Sequence, residues 1–398
     1  MTDSVVIAGG GLGASRLAEN LRGNGFTAPI TILSAESHPP YDRPPLSKSV
    51  LTADDGRTDL KAPDFYAESG IELRLDTRVV AVDPAAHHVV TEHGGQRTEV
   101  PYGTLVLATG LAPRPFPGDG ADLAGVHMIR TYDDAVALRD EIGAAQRAVV
   151  IGAGFIGCEA AASLTTRGVD VTVIEPAPAP LAAALGEEIG GFVGRLHKEA
   201  GAAIRTGTGV TRLLGGDGRV SGVELDDRTV LPADLVVVGI GGYPDLAYLE
   251  GSGIEIADRP EGGGIACDER GRTGAPDVYA VGDAANWADA QGNRRRVEHW
   301  NHTVEQAVLV AAQIAEHPLP APTVPYFWSD QYDLKVQLLG SPRAGDEVHV
   351  VDDDGRKFLA YYSRDGILTG VVGAGRVGKL MKTRPHLLIE TPIADLLT

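Results

Sequence analysis

Cysteine is nearly absent from this chain: 398 residues carry two thiols, Cys158 and Cys267. Far apart in sequence, they write neither a disulfide framework nor a Cys-x-x-Cys redox or zinc site, and they point to a reducing compartment. Basic charge is also short. With 35 Lys and Arg against 54 Asp and Glu, the formal net charge is -19. Such a surface repels phosphate backbones and anionic lipid, which argues against nucleic acid and membrane as partners. No apolar run approaches the roughly 18 residues of a membrane span. The amino end, Met1-Thr2-Asp3, carries an acid and runs straight into the strand-like Val5-Val6-Ile7, which reads as no room for a signal peptide. The expectation is a soluble, cytoplasmic protein.

Glycine is what the chain has in plenty, 51 residues, and it clusters after strand-like runs. Val5-Val6-Ile7-Ala8 leads into Gly9-Gly10-Gly11-Leu12-Gly13-Ala14, then a helical stretch with Leu17 and Leu21 four apart. Val149-Val150-Ile151 leads in the same way into Gly152-Ala153-Gly154-Phe155-Ile156-Gly157 and an alanine-rich helix. A second pair nests around the first: Leu105 to Ala108 ending in Thr109-Gly110, and Val236 to Val238 ending in Gly239-Ile240-Gly241. Internal repetition of this kind reflects repeated architecture, here two doubly wound α/β halves. A Pro-rich linker, 318–322, precedes β-rich segments that predict a small α+β C-terminal domain. The expected division is 1–113 with 246–320, 114–245, and 321–398.

Each glycine turn suits a dinucleotide. Gly9 permits the tight turn, Gly11 lets the backbone approach a pyrophosphate, and Ala14 lets helix pack on strand, with Gly13 between them. The helix amino end offers N–H groups to the anion. A ribose-binding carboxylate is due about 20 residues on, and Glu36 follows Ile30-Thr31-Ile32-Leu33. The second copy supplies Gly152, Gly154, Ile156 and Gly157, with Glu175 after Val171-Thr172-Val173-Ile174 and Gly241 closing its half. A carboxylate at that position repels a 2′-phosphate, so NADH is expected over NADPH. Two dinucleotide sites in one chain imply a relay in which one nucleotide delivers hydride and the other is a resident flavin, FAD.

At Tyr41-Asp42-Arg43-Pro44-Pro45-Leu46-Ser47-Lys48 the pattern becomes more particular. With Ala108-Thr109-Gly110, Val281-Gly282-Asp283, Arg296-Val297-Glu298-His299-Trp300 and Phe327-Trp328-Ser329-Asp330-Gln331, it resembles the FAD-dependent NADH:ferredoxin reductases of bacterial oxygenase systems. The resemblance implies two Rossmann-like domains of glutathione-reductase type plus the small C-terminal domain. It implies that Lys48 lies near flavin N5 and pairs with Glu159, the two catalytic candidates. It further implies that Arg43, Val79, Thr109, Gly110, Arg114, Arg130, Asp283 and Trp300 line the flavin nucleotide. The chain departs from the pattern at Ala35, where the family often has the ribose acid that stands here at Glu36. It departs again at Asp245, where an asparagine is common, and at Ala182-Ala183-Ala184, which lacks a usual arginine.

Disulfide reductases of this architecture need a cysteine pair to take electrons from flavin; none is written here. Electrons must then leave through the flavin edge to another protein or to oxygen; the resemblance implies that they leave singly to a 2Fe-2S ferredoxin serving a cytochrome P-450 or ring-hydroxylating oxygenase, with no metal in this chain. An acidic ferredoxin needs a local positive patch on so acidic a partner. Arg376, Lys379, Lys382 and Arg384 form one candidate, beside Trp328, and Arg294-Arg295-Arg296 another. A rubredoxin or oxygen as acceptor, or a binding protein like apoptosis-inducing factor, are the alternatives, the last disfavoured by the net charge.

Overall fold

The computed structural model describes residues 3–53, 56–289 and 291–397, so Met1 and Thr2 of the amino-end reading lie outside the described residues. The chain divides into two compact units. The first comprises Met1–Asp42, Arg57–Ala112 and Tyr243–Pro322; the second comprises Arg43–Gly56, Pro113–Gly242 and Thr323–Thr398.

In the first unit five parallel strands run in the spatial order Val278–Ala280, Thr104–Leu107, Val5–Ala8, Ile30–Leu33, Ile71–Arg74. Val5 to Ala8 and Thr104 to Leu107 are buried throughout, as continuous apolar runs are when a parallel sheet is covered on both faces. The helix Leu12–Gly23 turns Ala14, Leu17, Ala18 and Leu21 inward, three or four residues apart. These residues join a core with Val310 and Ala311 of the helix Trp300–Ile314. A three-stranded antiparallel ribbon, Arg78–Asp83, His88–His93 and Gln96–Pro101, completes the unit's sheets of three or more strands among the described residues.

The second unit repeats the plan. Its parallel sheet runs Ala203–Thr206, Asp170–Glu175, Arg147–Ile151, Leu235–Val238, Val126–His127. An antiparallel ribbon, Val210–Gly216, Arg219–Leu225 and Val230–Pro232, again accompanies it. The repeat read from the glycine turns therefore extends to the order of four strands in each sheet, while the outer fifth strand comes last in the chain in the first unit and first in the second. The same unit holds the C-terminal antiparallel sheet, ordered Tyr326–Gln331, Leu334–Gly340, Ile367–Ala374, Phe358–Arg364, Glu347–Asp353, with its own core of Val324, Leu339, Leu359, Val371 and Leu380.

Two groupings differ from the sequence-based division. Arg43–Gly56 joins the second unit because the helix Phe155–Thr166 holds it: Ser163 Oγ donates to the Ser47 carbonyl at 2.7 Å and Arg167 Nη1 to that of Leu51 at 3.1 Å. The C-terminal sheet joins the nucleotide half through Arg195 with Asp353 and the Tyr362 hydroxyl on the Leu185 carbonyl at 2.8 Å. Among the described residues no helix is long and apolar enough to cross a membrane.

Candidate active site

The first glycine turn is shaped by two different demands. Gly9 adopts φ +123°, and a Cβ there would collide with the Ala108 carbonyl, so the fold itself requires glycine. Gly11 is different: it opens the helix with extended backbone, no side chain caps it, and a Cβ would meet nothing within 4 Å. Packing does not explain its glycine, but a ligand held against the helix amino end does, and this is the cradle a pyrophosphate would fill. Gly13 faces Thr303 and Val281, each 3.3 Å from where a Cβ would stand. At the end of the neighbouring strand Glu36 is half buried and accepts a hydrogen bond from the Tyr41 hydroxyl, whereas Ala35 is exposed. The carboxylate thus stands one residue beyond the family's usual place, fixed by Tyr41.

The second turn repeats this arrangement. A Cβ on Gly157 would collide with the Gly152 carbonyl, while one on Gly154 would find only the Gly239 carbonyl, at 4.0 Å. Glu175 is tied into the turn: its carboxylate accepts from the Ala153 N–H at 2.6 Å and the Ala177 N–H at 2.8 Å. Each oxygen keeps lone pairs for ribose hydroxyls. Ile156 is 43 % exposed in the first helical turn, an apolar side chain left uncovered beside a nucleotide cradle. On the closing loop the Gly241 carbonyl accepts from the Arg114 N–H at 2.9 Å.

Lys48 and Glu159, 111 positions apart in sequence, meet within the second unit. Lys48 Nζ lies 2.8 Å from Glu159 Oε2; the lysine is 20 % exposed and the carboxylate 4 %. Pro44 and Pro45 start a short 3-10 turn that Lys48 closes, and its ammonium also donates to the Pro44 carbonyl at 3.1 Å. The carboxylate is further held by Ser47 Oγ on Oε2 and Ser329 Oγ on Oε1, each at 2.6 Å. A buried ion pair with this many partners is rigid and sets a cation at a fixed point.

Arg43 Nη1 donates to the Arg130 carbonyl at 2.5 Å. Thr109 Oγ1 is 3.1 Å from the Tyr248 hydroxyl, and Gly110 follows in the left-handed region. Val79 packs on the core of the first unit. Asp283 follows Gly282, whose N–H donates to Gln306 at 2.7 Å, and the Asp283 carbonyl accepts from Arg296 at 2.9 Å. Trp300 donates from Nε1 to Asp42 at 2.7 Å, with the Arg16 guanidinium 5.9 Å from its ring centre. Trp328 stacks on Tyr326 at 5.9 Å between ring centres.

The basic runs are less positive than their sequence suggests. Arg376 is ion-paired to Asp352 and Asp354, and Lys379 to Asp352, with Asp352 and Asp354 holding the Arg376 guanidinium above its ordinary pKa. Lys382 and Arg384 are exposed and make no ion pair among the described residues. Arg294 turns inward onto the Asn286 carbonyl at 3.1 Å, and Arg296 pairs with Glu298. Both cysteines are free and buried. Burial pushes the Cys158 thiol far up and that of Cys267 to about 12, which suits packing rather than redox exchange.

The sequence pattern carried Ser329 and Gln331 only as members of the Phe327-to-Gln331 run, without a role, and gave no sign of His197, although Ser329 and Gln331, two apart on a strand, share one face. It also gave no role to His299 and His302, which burial holds at about 4 and therefore neutral.

Two glycine cradles, each with a carboxylate after the neighbouring strand, define an oxidoreductase that binds two dinucleotides. Comparison with known proteins narrows this. The pyridine nucleotide-disulphide oxidoreductase family matches residues 3–307, and the reductase C-terminal family residues 326–394. The chain is 38 % identical to a ferredoxin–NAD(P)+ reductase of Sphingomonas over 92 % of its own length and 89 % of that protein's. It is 36 % identical to rhodocoxin reductase of Rhodococcus erythropolis over 98 % and 90 %. Among solved structures, putidaredoxin reductase in covalent complex with putidaredoxin superposes with a TM-score of 0.93 at 31 % identity, covering 99 % of this chain and 95 % of that one. A ferredoxin reductase from Rhodopseudomonas palustris gives 0.93 at 32 % identity, covering 100 % and 97 %. The chain belongs to the ferredoxin reductases of the pyridine nucleotide-disulphide oxidoreductase family, and it is an enzyme that uses FAD and a nicotinamide nucleotide.

Proposed function

We propose that this enzyme takes electrons from NADH and delivers them, one at a time, to a 2Fe-2S ferredoxin that serves a cytochrome P-450 or ring-hydroxylating oxygenase. The balance is NADH plus two oxidised ferredoxins giving NAD+, one proton and two reduced ferredoxins. The single observation that carries this reading is the buried Lys48–Glu159 pair beside the second glycine cradle, in a chain whose two thiols are both buried and free. Bound FAD supplies a two-electron acceptor that returns electrons singly.

The protein's own residues do the rest. Gly9, Gly11, Gly13, Ala14 and Glu36 hold the adenosine end of FAD, with Arg43, Arg114, Arg130, Thr109 and Asp283 along the remainder. Gly152, Gly154, Gly157 and Glu175 hold NADH, and the Glu175 carboxylate repels a 2′-phosphate. Lys48 places a cation where negative charge arrives, and Glu159 fixes that cation. Trp300 opens a helix of 15 residues whose positive end favours an anion. Trp328, with the exposed Lys382 and Arg384, meets the ferredoxin. Two uncrosslinked thiols fit the cytoplasm.

The test is an anaerobic titration of the yellow holoenzyme with NADH, followed by separate addition of ferredoxin and air. Bleaching by NADH with fast turnover on ferredoxin and slow turnover on oxygen is the expected outcome. Rapid turnover on oxygen alone would make it an oxidase, and no bleaching would remove the proposal.

A further inference from the structure

On the side away from Lys48, Glu159 ends a row of side-chain hydrogen bonds that the proposed chemistry does not use. Ser329 Oγ donates to Glu159 Oε1 at 2.6 Å, and Gln331 Nε2 donates to Ser329 Oγ at 2.9 Å. Gln331 Oε1 lies 3.0 Å from His197 Nε2, and the Tyr332 hydroxyl lies 3.0 Å from His197 Nδ1. Ser329, Gln331 and His197 are each 0 % exposed. All belong to the second unit.

The direction of the row is forced. Once its nitrogen donates to Ser329, the Gln331 amide has only its oxygen to turn toward His197, so the imidazole carries its proton on Nε2. Nδ1 then accepts from the Tyr332 hydroxyl. Every donor points toward the carboxylate. Aligned bonds of this kind polarise one another, and an interruption leaves a buried amide or imidazole without its partner.

We propose that Tyr332, His197, Gln331 and Ser329 form a one-way donor row that fixes the orientation and charge of the Glu159 carboxylate, making His197 and Gln331 positioning residues for Lys48. The functional part of this rests on the reading that Lys48 and Glu159 serve the flavin. Among the described residues, the titratable groups that meet the row are Lys48 on its loop, Cys158, which acts on Tyr332 and is acted on by Glu159, and Tyr332 in the turn after Gln331. Burial raises Cys158, and it raises Tyr332 to about 12, so both are uncharged near neutrality. Burial holds His197 at about 4, which keeps it neutral as well.

The experiment uses holoenzyme of Ser329→Ala, Gln331→Leu, His197→Phe and His197→Gln, with Glu159→Gln as reference. One readout is the rate of flavin bleaching by NADH across pH in stopped flow. The other is the infrared carboxyl band assigned by difference against Glu159→Gln in the oxidised protein. Ser329→Ala, which removes a direct donor, is expected to move the acid limb of the rate upward by about one pH unit, and Gln331→Leu and His197→Phe, which act through Ser329, to move it the same way by less. The protonated carboxyl band should then appear at a pH where wild type shows none. His197→Gln, which keeps a donor near the place of Nε2, is expected to restore both. If His197→Phe does not fold, Gln331→Leu decides. An unmoved acid limb and band in Ser329→Ala and Gln331→Leu would overturn the row. Wild-type bleaching by Glu159→Gln at every pH would instead remove Glu159 from the bleaching step, while a moved band in Gln331→Leu would still uphold the row.

Discussion

Replacing Lys48 by methionine removes a charge while keeping most of the side-chain volume. A unit charge at ionic contact with developing negative charge is worth about 4 kcal/mol at an effective dielectric near 20. Here the ammonium sits 2.8 Å from Glu159, whose opposite charge roughly halves that, leaving about 2 kcal/mol and a slowing of about 30-fold. The fold should tolerate the change. Glu159 keeps its bonds from Ser47 and Ser329, and charge-assisted bonds of that length compensate much of the lost pairing. Single-turnover bleaching by saturating NADH reads the rate, and the flavin-to-protein absorbance ratio reads FAD content. The expected result is a rate down about 30-fold with FAD content nearly unchanged. Adding Glu159→Gln to Lys48→Met should recover part of the loss, because the unpaired anion is gone. A rate within twofold of wild type with flavin retained would refute the placement of Lys48 at the hydride acceptor.

The remaining predictions are independent of that one. Gly11→Val should leave folding intact, since a Cβ there meets nothing, yet strip FAD; circular dichroism and flavin absorbance separate the two effects. Glu175→Ala should raise the KM for NADH about tenfold and narrow the preference over NADPH, about 1.4 kcal/mol of differential binding. His197, His299 and His302 are all held near 4 from an ordinary 6.5, chiefly by burial. The unfolded chain therefore takes up protons first, so their stabilisation is complete above the unfolded value and is lost as pH falls from 6.5 toward 4. At about pH 5 each would withdraw of the order of 2 kcal/mol, and urea midpoints that stay flat between neutrality and pH 5 would contradict this. Lys382→Glu with Arg384→Glu should raise the KM for ferredoxin at low salt and converge with wild type as salt screens the pair.

What could be seen in the sequence was local. Strand, glycine turn and helix are adjacent in the chain, so Gly9 to Ala14 and Gly152 to Gly157 announced both cradles, and the repeat announced two parallel sheets. The Lys48–Glu159 pair came from family resemblance, because nothing in a lone acid on a helix says which distant lysine it meets. In the basic cluster at Arg376 to Arg384, the pairing of Arg376 and Lys379 was hidden for a similar reason. Their neutralising partners, Asp352 and Asp354, lie on a strand and turn some 25 residues earlier in sequence and become neighbours only through the antiparallel sheet. Segment 43–56 is encoded within the first half, whereas hydrogen bonds from Ser163 and Arg167 hold it to the second unit.

That last grouping bears on how the protein can be taken apart. A fragment cut at 113 and 242 would contain every nucleotide-cradling glycine of its half, and by sequence alone would pass for a self-sufficient module. It would also retain Glu159 while discarding Lys48, Ser47 and Ser329, three of the groups that make the carboxylate's burial tolerable. Excision would therefore leave an orphaned anion in an apolar seat. A minimal nucleotide-binding piece of this enzyme needs the distant loop and the terminal sheet supplied with it, or a glutamine in place of the acid.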